Sequence, residues 1–155
     1  MFERANIIDH SHVVLDVVTR LNGEQAATEM ICKLKNPAFY IFISESGKSV
    51  LSYEPVFGSV KWWLVHTFCD ESERGVDLKR FLISTGLYMV DRTGAEAFMA
   101  VIPPELRRYG IFLAQVLGMK RRCKEMGSTV YTIGADQYDR LEETLDKLTK
   151  EIEDK

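Results

Sequence analysis

The chain has 155 residues, a formal net charge of −3, 46% hydrophobic and 28% charged residues, which is the make-up of one ordinary globular domain. No overall basic field recruits nucleic acid or membrane, and no apolar run approaches the roughly 20 residues that span a bilayer. Three widely spaced cysteines (Cys32, Cys69, Cys123) and three histidines form no disulfide framework and no zinc-type ligand spacing, and MFERANIIDH lacks a signal-peptide layout; a reducing cytoplasm is the expected setting, with no metal.

In chain order, Phe2 to Ile7 reads as a short strand. Asp9 looks like an N-cap, and Val13, Val14, Val17, Val18 and Leu21 follow at helical spacing; Val14, Val17, Val18 and Leu21 are expected in the core. Asn22, with Gln25 at the capping-box position, opens a second helix to about Lys35, ended by Asn36-Pro37. Ala38 to Ser44 is a strand by its aromatic and β-branched content. A turn at Glu45–Lys48 leads to a strand from Ser49 to Val56, and Val60 to Cys69 continues the antiparallel meander. Trp62 and Trp63, being adjacent on a strand, point to opposite faces.

The helix expected from about Asp77 to Asp91 carries Leu78, Phe81, Leu82, Leu87 and Val90, with Gly94 as its C-cap glycine. Ala95 to Ile102 then completes a right-handed parallel βαβ crossover. Glu105 to Leu117 is the next helix, stopped by Gly118, and short strands near Met119–Lys124 and Thr129–Ile133 meet at Gly127. Lys120, Arg121, Arg122 and Lys124, with Arg107, Arg108, Lys79 and Arg80, form a basic set. It serves either as a phosphate surface or, as we favour, as charge that protects an exposed edge strand from aggregation. A final helix from about Asp136 spaces Tyr138, Leu141, Leu145, Leu148 and Ile152 as an a/d seam; it packs back on the domain, or it self-associates or binds a protein partner. Residues 1–134 thus make the domain and 135–155 a C-terminal amphipathic helix.

Helix pair, antiparallel meander, βαβ crossover, helix and paired strands together resemble the element order of the GNAT superfamily of N-acetyltransferases, over about residues 2 to 133. The stretch Phe112–Met119, followed by Val130-Tyr131-Thr132-Ile133, is similar to that family's leucine-glycine helix end and final hairpin. The resemblance implies an α+β fold, a mixed sheet with one parallel crossover flanked by helices. It also implies a Q/R-x-x-G-x-G/A loop that wraps the pyrophosphate of acetyl-coenzyme A. The matching stretch is Arg74-Gly75-Val76-Asp77-Leu78-Lys79, so Arg74, Gly75, Val76 and Lys79 are the implied coenzyme-binding residues. Asp77 and Lys79, however, hold the two small positions. A carboxylate ~4 Å from a phosphate charge costs about 4 kcal/mol at an effective dielectric near 20. Asp77 also reads simply as a first-turn acid or N-cap of its helix. No tightly bound coenzyme is therefore expected, and acetyl-coenzyme A only if the chain is an active enzyme.

The family's proton-donating tyrosine falls on Ala114, and its helix asparagine on Arg107. Tyr109 lies five positions before Ala114 and, at about 100° per residue, is expected to point elsewhere. For a general base, Glu71 is the first choice and His66 the second, with Asp70 nearby; their plain reading is a strand histidine and solvated loop acids. Two functions stay open: a protein that keeps the fold and works as a binding or assembly factor, or an acetyl-coenzyme A-dependent N-acyltransferase acting on an amine. The chain also resembles short GNAT-like proteins of tailed phages, which implies virion head assembly or DNA ejection inside a host cytoplasm.

Overall fold

The computed structural model describes residues 2–134 together with Gln137, Arg140, Leu141, Glu143, Asp146, Lys147 and Lys150. Its frame is a seven-stranded sheet in the order β1-β2-β3-β4-β5-β7-β6. The strands are β1 (Phe2–Arg4), β2 (Tyr40–Ser44), β3 (Val50–Val56), β4 (Ser59–Phe68), β5 (Ala97–Ile102), β6 (Lys120–Glu125) and β7 (Ser128–Gly134). Every neighbouring pair is antiparallel except β4 with β5. The crossover between those two is α3 (Val76–Thr93), ended by Gly94 in the left-handed conformation, as the sequence predicts.

The helix pair α1 (Ile7–Asn22) and α2 (Glu24–Leu34) covers one face of the sheet. Val14, Val17, Val18, Ala27 and Met30 pack there against Ile41, Ile43 and Val50. The opposite face, under α3 and α4 (Arg107–Phe112), holds Phe42, Tyr53, Trp63, Ile83, Met89 and Phe98. Strand β2 supplies both cores. Ile41 and Ile43 point one way and Phe42 the other, which is why YIFIS reads as a continuous apolar run rather than an alternating one. Phe42 sits among Phe2, Tyr53 and Tyr88 in edge-to-face contacts with centroids 5.4–5.6 Å away, each worth about 0.5–1.5 kcal/mol beyond burial.

Several boundaries differ from expectation for local reasons. The first strand stops at Arg4 because Asn6, not Asp9, caps α1: the Asp9 N–H donates to Asn6 Oδ1 at 2.7 Å. Asp9 becomes a first-turn acid, favourable at the positive end of the helix. Asn22 does not cap α2; Gly23, at φ 91°, closes α1 by donating its N–H to the Thr19 carbonyl and opens α2 directly. Leu21 is only half-buried, at the rim of the α1–α2 core. The helix expected over Glu105–Leu117 is three pieces: a 3-10 turn at Pro104–Leu106, α4, and a π-helical turn at Leu113–Leu117. Gly118, left-handed, ends it as predicted.

Trp63 is buried, and Trp62, on the other face, is 44% exposed. β6 lies at the sheet edge with all six residues exposed. Of the C-terminal stripe, Leu141 is buried; Tyr138, Leu145, Leu148 and Ile152 lie outside the described residues. No helix among the described residues is long and apolar enough to cross a membrane.

Candidate functional site

Strands β4 and β5 pair only over Trp62–Leu64 with Ala97–Met99, while β4 runs on to Phe68 and β5 to Ile102. Beyond that short ladder the two parallel strands part, leaving a wedge in the middle of the sheet. Alternation along β4 sends Val65 and Thr67 to the α3–α4 side of the wedge and His66 to the α1–α2 side.

On the α3–α4 side, the Tyr109 hydroxyl reaches across to Thr67 Oγ1 at 2.6 Å. A second buried phenol, Tyr53, donates to Thr85 Oγ1 at 2.8 Å, and that hydroxyl donates in turn to the Phe81 carbonyl at 2.8 Å. Burial pushes both phenols well above the usual tyrosine range, only partly offset by their threonine partners. Both stay protonated at neutral pH. Between them is a cavity of about 40 Å³, walled by Val65, Gly86, Leu113 and Leu141 among others.

Sequence reasoning set Tyr109 aside because it asked only whether the phenol shares the helix face of Ala114, not whether it reaches the wedge by itself. Tyr109 and Ala114 both pack on the same core. The π-helical turn begins only at Leu113, after Tyr109, so the phenol reaches Thr67 from the regular part of the helix. No local signal in RRYGIFLAQVLG announces that turn.

On the α1–α2 side, His66 Nε2 lies 3.6 Å from Glu54 Oε1, and Glu54 is ion-paired with Lys33 of α2. Burial lowers the His66 pKa below its ordinary value; Glu54 raises it and Lys33 lowers it again. The imidazole is therefore neutral at pH 7 and able to accept a proton. Glu54 and Lys33 are also residues that sequence reasoning did not single out; they are 21 positions apart and meet only when α2 packs on the sheet.

The loop after β4 places the remaining candidates. Glu71 is exposed in the 3-10 turn Glu71–Glu73, and no hydrogen bond or ion pair joins it to His66 among the described residues. Asp70 caps that turn: it accepts from Ser72 N at 2.9 Å and Ser72 Oγ at 2.6 Å, and from Arg20 Nη1 at 2.5 Å. The Ser72 hydroxyl and then Arg20 hold its carboxyl well below the usual carboxylate range, which makes it a poor base. Arg74 and Val76 are exposed, Lys79 is half-buried, and Gly75, at φ 100°, is the N-cap of α3. A φ of that sign suits glycine, which has no Cβ to clash. With no side chain capping α3, its first N–H groups can receive an anion.

A coenzyme A thioester would need both ends of this region: its pyrophosphate at the α3 N-terminus and its acyl arm in the wedge. The backbone at Gly75 suits the first, against the Asp77 carboxylate in the first turn. The wedge does not admit the second as it stands. Its cavity of about 40 Å³ is far below the roughly 300–1,000 Å³ of ordinary small-molecule sites.

No protein-family model matches the sequence, and no curated protein matches it. Solved structures do match its shape. AAC(6')-Ib, in complex with ribostamycin and coenzyme A, superposes with a TM-score of 0.71 at 8% identity, covering 90% of this chain and 96% of that one. The ribosomal-protein-S5-alanine acetyltransferase of Vibrio fischeri gives 0.66 at 13% identity, over 88% and 93%. Campylobacter jejuni N-acetyltransferase PseH, in complex with acetyl coenzyme A, gives 0.63 at 10% identity, over 87% and 99%. At such identities the likeness is one of architecture, and in architecture this chain is a GNAT-fold protein.

Proposed function

We propose that this GNAT-fold chain works as a binding or assembly factor and does not transfer acetyl groups. The observation that carries this reading is the narrow wedge: Tyr109 is tied to Thr67 across it, and Leu141, 6% exposed, lines it from beyond the last strand. The partner is a protein, engaged through the C-terminal stripe of Tyr138, Leu145, Leu148 and Ile152; Leu141, taken up by the domain itself, leaves that set. Virion head assembly or DNA ejection in a tailed phage is the narrower form of the proposal and rests on the sequence resemblance.

The test is a thermal-shift titration of the full chain with acetyl-coenzyme A and coenzyme A to millimolar concentration. The expected result is no saturable shift. Ligand at ~100 times its Kd adds about 2.7 kcal/mol, or several degrees at roughly 2–4 °C per kcal/mol, and a shift of that size refutes the reading. A second reading, N-acetylation of an amine, draws on the Tyr109 hydroxyl in the wedge and the neutral His66 across from it. It requires acetyl transfer that is lost in Tyr109→Phe and His66→Gln, with Glu71→Gln testing the alternative base.

A further inference from the structure

The other flank of α3 borders a second hollow, between the start of that helix, the Glu71–Glu73 turn and the β2–β3 connection. It measures about 330 Å³ and is lined by the carboxylates of Glu45, Glu73 and Asp77, the serines Ser44, Ser46 and Ser84, and Arg80 and Phe81. That volume is at the small end of the roughly 300–1,000 Å³ found for small-molecule sites.

Three carboxylates thus face one guanidinium; Glu45 already has an interaction of its own, and Arg80 pairs with neither of the other two. Asp77 and Arg80 stand three apart on one helix, the spacing at which an ion pair forms. Yet no ion pair joins Arg80 to Asp77 or to Glu73 among the described residues. The Arg80 Nε is buried and makes no hydrogen bond. Among the described residues, Glu73 receives only hydroxyls, Ser49 Oγ at 2.9 Å and Ser44 Oγ at 3.3 Å. Ser84 is 9% exposed, and its Oγ is also without a partner, although a helical serine commonly bonds the carbonyl one turn back. Buried polar atoms are hydrogen-bonded in the great majority of cases. Two orphaned donors and, besides Glu45, two carboxylates that no cation pairs among the described residues thus line one small polar hollow.

We propose that this hollow binds a zwitterionic small molecule of the α-amino acid class. Its carboxylate accepts from Arg80 Nε–H and Ser84 Oγ–H, and its ammonium donates to Asp77 and Glu73, all charge-assisted bonds of the stronger kind. Phe81 gives the aliphatic part an apolar neighbour. A simple anion would face three carboxylates, and a simple cation would leave the Arg80 and Ser84 donors unmet. A molecule carrying both charges satisfies Arg80, Ser84, Asp77 and Glu73 together. The site does not depend on whether the wedge between β4 and β5 binds anything.

The test uses the full chain, titrated by calorimetry and thermal shift with glycine, serine, lysine and glutamate. Ethylamine and acetate serve as single-charge controls. At least one amino acid is expected to bind saturably, with either control at least about tenfold weaker. Arg80→Met and Asp77→Asn should each weaken binding by about tenfold or more. Ser84→Ala should weaken it too, while leaving the ligand-free melting temperature unchanged or higher, because the hydroxyl removed has no bond to lose. The proposal is overturned if no amino acid produces a saturable signal. It is equally overturned if ethylamine or acetate binds as well as the amino acids, or if binding survives in an Arg80→Met/Asp77→Asn double variant that remains folded by circular dichroism.

Discussion

Two glycines in the helices around the wedge should respond to the same substitution with opposite signs. Gly110 in α4 faces Tyr131 of β7, and a Cβ built there would meet the tyrosine hydroxyl at 2.7 Å and two ring carbons at 3.0 Å. Tyr131 is buried, so its ring cannot simply swing aside. Overpacking of this kind costs about 1–3 kcal/mol, while replacing a helical glycine by alanine returns about 0.5–1 kcal/mol. Gly110→Ala should therefore destabilise by roughly 0.5–2 kcal/mol. Gly86 in α3 also lies in a helix, but its Cβ would meet nothing nearer than Phe98 at 3.5 Å, an ordinary contact. There the helix gain stands alone, and the methyl group also fills part of the cavity. Gly86→Ala should stabilise by about 0.5–1 kcal/mol. At roughly 2–4 °C per kcal/mol, thermal denaturation followed by circular dichroism separates the two variants on either side of the parent. If Gly110→Ala melts higher than the parent, or if Gly86→Ala melts lower, the packing described for α4 on β7 and for the narrow wedge is wrong. Adding Tyr131→Phe to Gly110→Ala removes the nearest contact and should restore part of the loss.

Other outcomes follow from the same geometry. Tyr109→Phe deletes the bond to Thr67 and should cost about 0.5–1.5 kcal/mol, read as a shift in the urea midpoint; no loss would mean that the wedge is not tied by this bond. Both buried phenols ionise in the unfolded chain near pH ~10 but at higher pH when folded, so the unfolded state releases protons first. Stability should be flat up to about pH 10 and fall above it, in contrast to a Tyr53→Phe/Tyr109→Phe variant, whose curve should fall less. For His66, an NMR titration should give a midpoint below the usual ~6.5. The unfolded chain then binds the proton more readily, so this residue's contribution is present above that pH and lost as pH falls. Lys33→Met removes a cation and frees Glu54, so it should raise the His66 midpoint and cost about 1–3 kcal/mol for a carboxylate left unpaired. An unchanged midpoint would remove Lys33 and Glu54 from the histidine's surroundings.

Much of the frame is legible in the sequence because it is local. The apolar runs of β2, β3 and β4, the periodicity of α3 and its Gly94 cap, and the parallel crossover to β5 each rest on a few adjacent residues. The helix start at Asn6 was missed by three residues because Asn and Asp offer the same kind of cap, and only the backbone shows which one accepts. The site is less legible, since its contacts are long-range. Tyr109 meets Thr67 across 42 positions of chain. The lowered pKa of His66 comes first from burial, with Glu54 from β3 raising it and Lys33 from α2 lowering it again. Residue types supplied candidates for the chemistry, but whether the wedge is open is a matter of packing that spacing alone does not carry.

Strand β2 has a further bearing on how this molecule comes apart. Its five residues are held by both cores at once, Ile41 and Ile43 from the helix-pair side and Phe42 from the α3 side. The two halves consequently have no independent melting temperature: detaching α1 and α2 exposes a strand on which the other half also rests. Unfolding should be a single cooperative transition, and the amides of Ile41, Phe42 and Ile43 should exchange with solvent only when the whole domain opens.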